Sequence, residues 1–159
     1  MFVCFISFNY PECKKIIKRN VIKDNTYNYN DTYIAVLEIP IIGFKRGLYD
    51  KDSPLNDVDK QIAFLPNTEY PNNNSNTVIV GHSGNSQYAY FNDLDKLDIG
   101  DIIFFYYDKT KYEFIIDNIY LVLKTGAVEV QKNENKMTLT LITCFKDNYQ
   151  LVIVANKKE

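Results

Sequence analysis

Residues 138–144 read Thr-Leu-Thr-Leu-Ile-Thr-Cys, an unbroken run of β-branched and apolar residues that ends in a cysteine. This composition is typical of a β-strand. A strand is a stiff support, so a thiol at its end can be held in one orientation toward a reacting group. The stretch therefore predicts a strand and, at the end of that strand, a candidate nucleophile, Cys144.

A second apolar run ends in the other group that thiol chemistry uses. Residues 78–84 read Val-Ile-Val-Gly-His-Ser-Gly and contain His82, the only histidine of the chain. Thiol nucleophiles are commonly activated by a neighbouring imidazole. The two residues lie 144 − 82 = 62 positions apart, so only the tertiary fold can bring them together.

The composition indicates one β-rich domain. The chain has 159 residues, with 13 Tyr, 10 Phe and no Trp, and that length can bury a core without disulfides. The formal net charge of −2 gives no basis for a nucleic-acid partner. One histidine is too few for a usual zinc site, so we expect no metal and no cofactor. Four loop acids lack the glycine of a calcium-binding loop and are interpreted as solvated: Asp50, Asp52, Asp57 and Asp59.

The pattern of apolar runs predicts about eight strands and one or two short helices. It favours an all-β-dominated fold, a closed or nearly closed barrel with mainly antiparallel strands. A short helical turn is expected over residues 58–65, and a helical stripe of apolar residues marks residues 88–97. Strands are expected over residues 32–39, 41–44, 77–81, 102–107, 112–124 (with a bulge), 137–144 and 150–155.

The first 31 residues are expected to lie outside the folded domain, which we place at residues 32–159. Residues 1–8 are apolar but far fewer than the roughly 20 residues that span a bilayer, so they are an arm, a strand or the stub of a longer anchor. A basic segment follows, over residues 14–19. It is either a solvated linker or a contact with an anionic membrane. Cys4 and Cys13 can pair, but nothing in the sequence requires it.

Three features, taken in this order, resemble the sortase family. Gly81-His82 after an apolar strand resembles the family's histidine site. Residues 91–97, followed by Gly100-Asp101, resemble the segment that comes next in many sortases. Residues 140–144 match the family signature Thr-Leu-x-Thr-Cys. The resemblance covers about residues 32–155.

The resemblance implies an eight-stranded sortase-like β-barrel and a cysteine transpeptidase. Such enzymes cut a Leu-Pro-x-Thr-Gly-like sorting motif in a secreted protein through a thioacyl intermediate. They then join that protein to an amine of a cell-wall precursor or a pilin. The resemblance also implies an N-terminal membrane anchor and a location on the outer face of the cell membrane of a Gram-positive-type bacterium.

Roles for individual residues follow from the same resemblance. Cys144 is the expected nucleophile and His82 the expected general acid and base. Ser83, Ile142 and Thr143, which flank these two residues, are assigned to substrate binding. The residue chemistry agrees, because an imidazolium lowers the pKa of a neighbouring thiol and an imidazole can exchange protons with the leaving and entering amines.

The sequence departs from the family in the strand after the cysteine. Sortases have an arginine at the start of that strand, whereas here Gln150 precedes Leu-Val-Ile-Val. Glutamine offers two donors and no charge, whereas arginine offers five donors and a permanent charge. We interpret Gln150 as a catalytic-site donor that positions the substrate. The alternatives are that Lys146 supplies the charge, or that the chain is a weakened or inactive variant.

Two other functions stay open at this point: a sortase-fold module that binds a sorting peptide without cutting it, and a cysteine peptidase that only hydrolyses. Within the family, residues 125–136 are too few for a large inserted helix. No Asp-Pro-aromatic lid motif is present, since residues 53–55 read Ser-Pro-Leu. The chain is most similar to housekeeping-like or clostridial-type sortases without a lid.

Overall fold

The computed structural model describes residues 2–4, 32–72, 74–124, 128–130 and 135–159. Eight strands of this part form one sheet that curves into a nearly closed barrel, which confirms the predicted fold class. Helix is limited to two short 3₁₀ segments in the described residues. The strands are β1 (Phe2–Cys4), β2 (Ala35–Ile39), β3 (Phe44–Leu48), β4 (Ala63–Phe64), β5 (Asn76–Val80), β6 (Ile102–Tyr107), β7 (Thr110–Leu123), β8 (Val128–Val130), β9 (Thr138–Phe145) and β10 (Tyr149–Lys157).

The order of strands in the barrel sheet brings distant parts of the chain together. The order is β3-β2-β6-β7-β10-β9-β5-β4. All neighbouring pairs are antiparallel except β5 and β9, which run parallel. Because parallel strands end at the same edge of a sheet, the residues that follow β5 and the last residues of β9 lie side by side.

Strand β9 is buried on both faces, so the threonines of its alternating run Thr-Leu-Thr-Leu are as inaccessible to solvent as the leucines. Leu139 and Leu141 face the interior of the barrel, where they pack in a cluster with Phe64, Phe91, Phe105 and Phe114. Ile142 faces the opposite side and packs in a second buried cluster. We call this the outer cluster; it consists of Val58, Ala63, Val78, Val80, Val128, Ile142, Val152 and Val154.

The strand expected over residues 41–44 is wrong in its position. Pro40–Ile42 form a 3₁₀ helix, and Gly43 ends it in the left-handed region with φ 63°. Proline at the first helical position and glycine at the C-cap are the residues that such a turn favours. The strand begins only after this glycine and runs over Phe44–Leu48.

Of the two helical predictions, the one for residues 88–97 is largely wrong, whereas a single helical turn is present at residues 57–61, where the Asp57 carbonyl accepts the N–H groups of Lys60 and Gln61. Residues 88–97 form turns and one 3₁₀ helix at Leu94–Lys96, although the three apolar residues of the stripe are buried as expected: Phe91, Leu94 and Leu97. A three-residue spacing also fits consecutive turns, so the burial pattern alone did not establish a helix. Residues 58–65 form turns that lead into β4, where the Asn56 side chain bonds to the backbone N–H and carbonyl of Phe64 at 2.8 and 2.9 Å.

The long hairpin of β6 and β7 has the bulge expected in its second strand, and its turn is only two residues long because β7 already begins at Thr110. Asp108 and Lys109 both have positive φ, 45° and 60°, as two-residue hairpin turns require. Val154 of β10 lies opposite Asn118, whereas the next residue, Ala155, lies opposite Ile116. One residue of β7, Asp117, is therefore extra, and the strand bulges there.

The N-terminal residues contribute one strand to the described structure. β1 pairs antiparallel with β8, with Phe2 opposite Val130. The predicted basic segment at residues 14–19 and the side chains of Cys4 and Cys13 lie outside the described part, and the domain boundary at residue 32 stays a prediction. Among the described residues, no helix has the length and apolarity needed to cross a bilayer.

Candidate active site

The parallel register of β5 and β9 places the histidine beside the cysteine. Every pair in this ladder is 62 residues apart, up to Val80 opposite Ile142. The contact continues past the last pair: the Gly81 N–H donates to the Ile142 carbonyl at 3.2 Å, and the Thr143 hydroxyl donates to the Gly81 carbonyl at 2.8 Å. His82 and Cys144 are also 62 residues apart, so continuing this register past the last pair places Cys144, in β9, opposite His82, in the turn two residues after β5.

Gln150 flanks the cysteine on the other side. It is the direct partner of Cys144 in the antiparallel ladder of β9 and β10, and directly opposite residues project their side chains to the same face. The side chain of Gln150 is fully buried. The three predicted catalytic residues therefore form one row in the order His82, Cys144 and Gln150, with His82 in the turn after β5, Cys144 in β9 and Gln150 in β10.

The row lies at the end of the outer cluster. Cys144 follows Ile142 by two residues on the same face of β9, and Gln150 precedes Val152 by two on the same face of β10. The Cys144 side chain is half-buried and is a free thiol. The thiol therefore borders buried apolar side chains and is partly accessible to solvent.

The three residues predicted to bind substrate lie in or beside this row. Ile142 is fully buried in the outer cluster. Thr143 is buried, and its hydroxyl joins β9 to Gly81. The Ser83 hydroxyl donates a hydrogen bond to the carbonyl of Cys144. These contacts fix the backbone around the thiol and the imidazole, and a role in substrate binding stays a prediction for all three.

Two glycines shape the turn that carries His82. A Cβ on Gly81 would meet the Phe91 ring at 2.7 Å, so no larger residue fits there without displacing the core. Gly84 has φ 119°, which L-residues rarely adopt. The Asn92 side chain closes the turn by bonding to both the N–H and the carbonyl of Gly84, at 2.6 and 3.1 Å. These contacts restrict the conformation of the turn that bears the His82 imidazole.

The structure adds an acidic residue that the sequence did not single out. The Nε2 atom of His82 lies 3.2 Å from Oδ1 of Asp59. Both side chains are partly buried, with 19% of His82 and 28% of Asp59 exposed. A carboxylate at this distance favours the tautomer in which Nε2–H donates to it, and it restrains the orientation of the ring.

The loop around Asp59 is built to hold that carboxylate in place. Asp57 accepts the Asp59 N–H at 3.0 Å through its side chain, and its carbonyl accepts the N–H groups of Lys60 and Gln61. Val58 inserts into the outer cluster and is 5% exposed. The expectation that all four loop acids are merely solvated is therefore wrong for Asp59. No sequence pattern ranks Asp59 above its three neighbours, because its partner is 23 residues away.

Two opposing effects act on the pKa of the Cys144 thiol. Burial raises the pKa of the Cys144 thiol, and the positive charge of Lys124 opposes that rise. Lys146, the cation that the sequence offered for the site, has its Nζ 5.1 Å from the centre of the Phe145 ring. The described residues contain no cluster of metal-ligating side chains. The site can therefore offer a thiol, an imidazole with its carboxylate, and amide and ammonium donors.

Comparisons with known proteins agree on one family. The family model described as "Sortase domain" matches residues 37–158. No curated protein matches the sequence at a significant level.

Several solved structures share the fold. Sortase C1 from Streptococcus suis superposes with a TM-score of 0.71 at 23% identity, over 80% of this chain and 73% of that chain. Sortase A from Corynebacterium diphtheriae gives 0.71 at 19% identity, over 94% and 82%. Sortase C from Clostridium perfringens gives 0.70 at 21% identity, over 95% and 86%. At these sequence identities the structural similarity is evidence for the fold alone, and the evidence for family membership is the match to the family model.

Proposed function

This chain belongs to the sortase family, and we propose that it is a cysteine transpeptidase with Cys144 as nucleophile and His82 as general acid and base. The observation that carries the proposal is the row formed by His82, in the turn after β5, and by Cys144 of β9 and Gln150 of β10. An imidazole and a thiol on adjacent strand ends, with a carboxylate behind the imidazole, have the composition of a thiol-imidazole catalytic unit.

The proposed reaction has two balanced steps. The thiolate of Cys144 attacks the scissile carbonyl, the C–N bond breaks, and the leaving amine takes a proton from the His82 imidazolium. The acyl group then rests on sulfur as a thioester. An acceptor amine attacks the thioester and gives a proton to His82, and the C–S bond breaks to regenerate the thiolate. Gln150 donates hydrogen bonds to the substrate carbonyl in both steps.

The proposed substrates are secreted proteins with a C-terminal sorting motif of the Leu-Pro-x-Thr-Gly type, and the acceptor is an amine of a cell-wall precursor or a pilin. The support is the family membership.

We also propose that the protein acts at the outer face of the cell membrane. The support is the apolar run at residues 1–8, followed by the basic segment at residues 14–19. Full-length protein is expected in the membrane fraction of cells that express it. Recovery of the full-length protein in the cytosol after fractionation would contradict this location.

The direct test of the proposed reaction is to trap its intermediate. The protein is incubated with a library of sorting-motif peptides, quenched in acid and examined by mass spectrometry for a thioester on Cys144. An added amine is then expected to shift the products from hydrolysis toward transfer. A peptide that is cut without a Cys144 adduct would contradict the covalent path, and product that never contains the amine would indicate a peptidase that only hydrolyses.

One alternative has support from the site itself: a sortase-fold module that binds a sorting peptide and does not cut it. Gln150 carries no charge, and burial raises the pKa of the Cys144 thiol. Both features lower the fraction of reactive thiolate. Peptide binding by the protein without any thioester in the trapping experiment would favour this module.

The replacement of Gln150 tests its part in the reaction. Gln150→Ala is expected to slow turnover about ten-fold or more, because loss of one oxyanion donor costs about 10²–10³ in other enzymes and a neutral donor supplies part of that. Gln150→Met is the matched control for volume, since it keeps the buried bulk and removes the amide. Equal losses in both variants assign the effect to the amide. Unchanged cleavage and transfer in Gln150→Ala would remove Gln150 from the mechanism.

A further inference from the structure

The end of β7 carries a lysine to the turn that follows Cys144. The backbone N–H of Lys124 donates to the carbonyl of Asn148 at 2.9 Å. Its side-chain Nζ donates to the carbonyls of Lys146 and Asp147, both at 2.9 Å. The ammonium group is thus fastened to the β9–β10 turn, two and three residues after the thiol-bearing residue.

The same lysine lies on the face of the sheet that presents the thiol. Val122 of β7, Gln150 of β10 and Cys144 of β9 are direct partners across three strands. Val122 packs against the outer cluster, so its side chain is on the thiol's face. Lys124 follows Val122 by two residues, and its side chain is half-buried. Strand alternation puts the Lys124 side chain on the same face of the sheet as Gln150 and Cys144. Its bonds to the β9–β10 turn hold the ammonium group near the end of β9 that bears Cys144.

We propose that Lys124 supplies the positive charge beside Cys144 that the neutral Gln150 does not, and that it holds the β9–β10 turn in place. The proposal rests on the proposed function only in taking Cys144 as the nucleophile. A fixed ammonium stabilises the thiolate relative to the thiol, and it acts without contact with the substrate. Lys124 is therefore a positioning and electrostatic residue of this site.

The surroundings of the thiol favour Lys124 over the other nearby lysine. Lys146 extends over the ring of Phe145, which packs toward the barrel interior rather than the outer cluster. Lys124, by contrast, lowers the pKa of the Cys144 thiol against the rise caused by burial. Among the residues that the structure describes, the titratable groups around this face and its turn include His82, Asp59, Tyr120, Lys146 and Asp147.

The test measures the thiol and needs no peptide substrate. The alkylation rate of Cys144 by iodoacetamide is followed from about pH 6 to about pH 11, and the Cys144 peptide is quantified by mass spectrometry. Lys124→Met removes a cation, so the thiolate forms at higher pH. Its profile is expected to move up by about half a pH unit or more, and alkylation below the midpoint to slow about three-fold or more.

Three further variants separate charge, hydrogen bonding and position. Lys124→Gln keeps amide donors for the turn but no charge and is expected to shift like Lys124→Met. Lys124→Arg keeps the charge and is expected to retain the wild-type profile. Lys146→Met is the matched control, a neighbouring lysine with its Nζ over the Phe145 ring, and is expected to leave the profile unchanged. Thermal unfolding of each variant identifies any that fails to fold, and Lys124→Gln then carries the test.

Two results would overturn the proposal. One is a wild-type alkylation profile in folded Lys124→Gln or Lys124→Met. The other is an upward shift in Lys146→Met with none in Lys124→Met, which would assign the charge to Lys146. Because alkylation does not depend on peptide cleavage, a protein that fails the thioester experiment can still pass or fail this one, and the two outcomes stay distinguishable.

Discussion

Cys144→Ala is expected to reduce cleavage of a sorting-motif peptide by about a thousand-fold or more, since the loss of a nucleophile removes the covalent path altogether. The thiol is the atom on which the proposed thioester forms, and the described structure has no second thiol in the row of His82 and Gln150. The expected effect is therefore on the rate of the chemical step, with peptide binding retained.

The fold is expected to survive this replacement. Cys144 is half-buried at the end of the outer cluster, so the lost sulfur leaves no enclosed cavity in the barrel. The measurement is kcat/KM together with the midpoint of thermal unfolding. Cys13→Ser is the matched control, another cysteine of the same chain, and is expected to keep full activity. Activity of Cys144→Ala above about a thousandth of the wild-type value would contradict the covalent mechanism.

Local sequence was sufficient to predict the parts of the fold that depend on neighbouring residues. The strand Ile102–Tyr107 follows from its aromatic and β-branched composition. The run at 138–144 predicted a strand for the same reason, whereas the burial of both its faces depends on its strand neighbours and packing partners. The spacing of 62 residues between His82 and Cys144 equals the register of β5 and β9, but that register becomes visible only once the two strands are paired.

The residues that sequence reasoning missed act through long-range contacts. Asp59 meets His82 because Val58 anchors its loop in the outer cluster. Lys124 meets the turn after Cys144 because β7 and β9 both pair with β10. No local sequence pattern distinguishes Asp59 from the other acids of the chain, or Lys124 from its other lysines. The helix expected at residues 88–97 failed for a related reason, since burial spacing does not by itself specify the backbone.

His82→Ala is expected to be nearly as damaging as Cys144→Ala, within about ten-fold of it, because a nucleophile and its base act as one unit. Without the imidazole, the leaving amine loses its proposed proton donor, and the thiol, whose pKa burial already raises, loses its proton acceptor. The variant should bind the sorting peptide and form little or no thioester. Added imidazole is expected to restore part of the rate, since the His82 side chain is 19% exposed and small molecules can enter the space it leaves.

Asp59→Asn provides the graded comparison for the histidine. An amide at this position no longer favours the Nε2–H tautomer of His82, so the expected loss is smaller, about ten-fold, because the pair is partly exposed to solvent. Asp52→Asn, an exposed acid of the same loop, is the matched control and is expected to leave the rate unchanged. The order of loss should be His82→Ala, then Asp59→Asn, then Asp52→Asn. Normal kcat/KM in His82→Ala would remove the imidazole from the mechanism, and Asp59 would then be left with a purely structural contact.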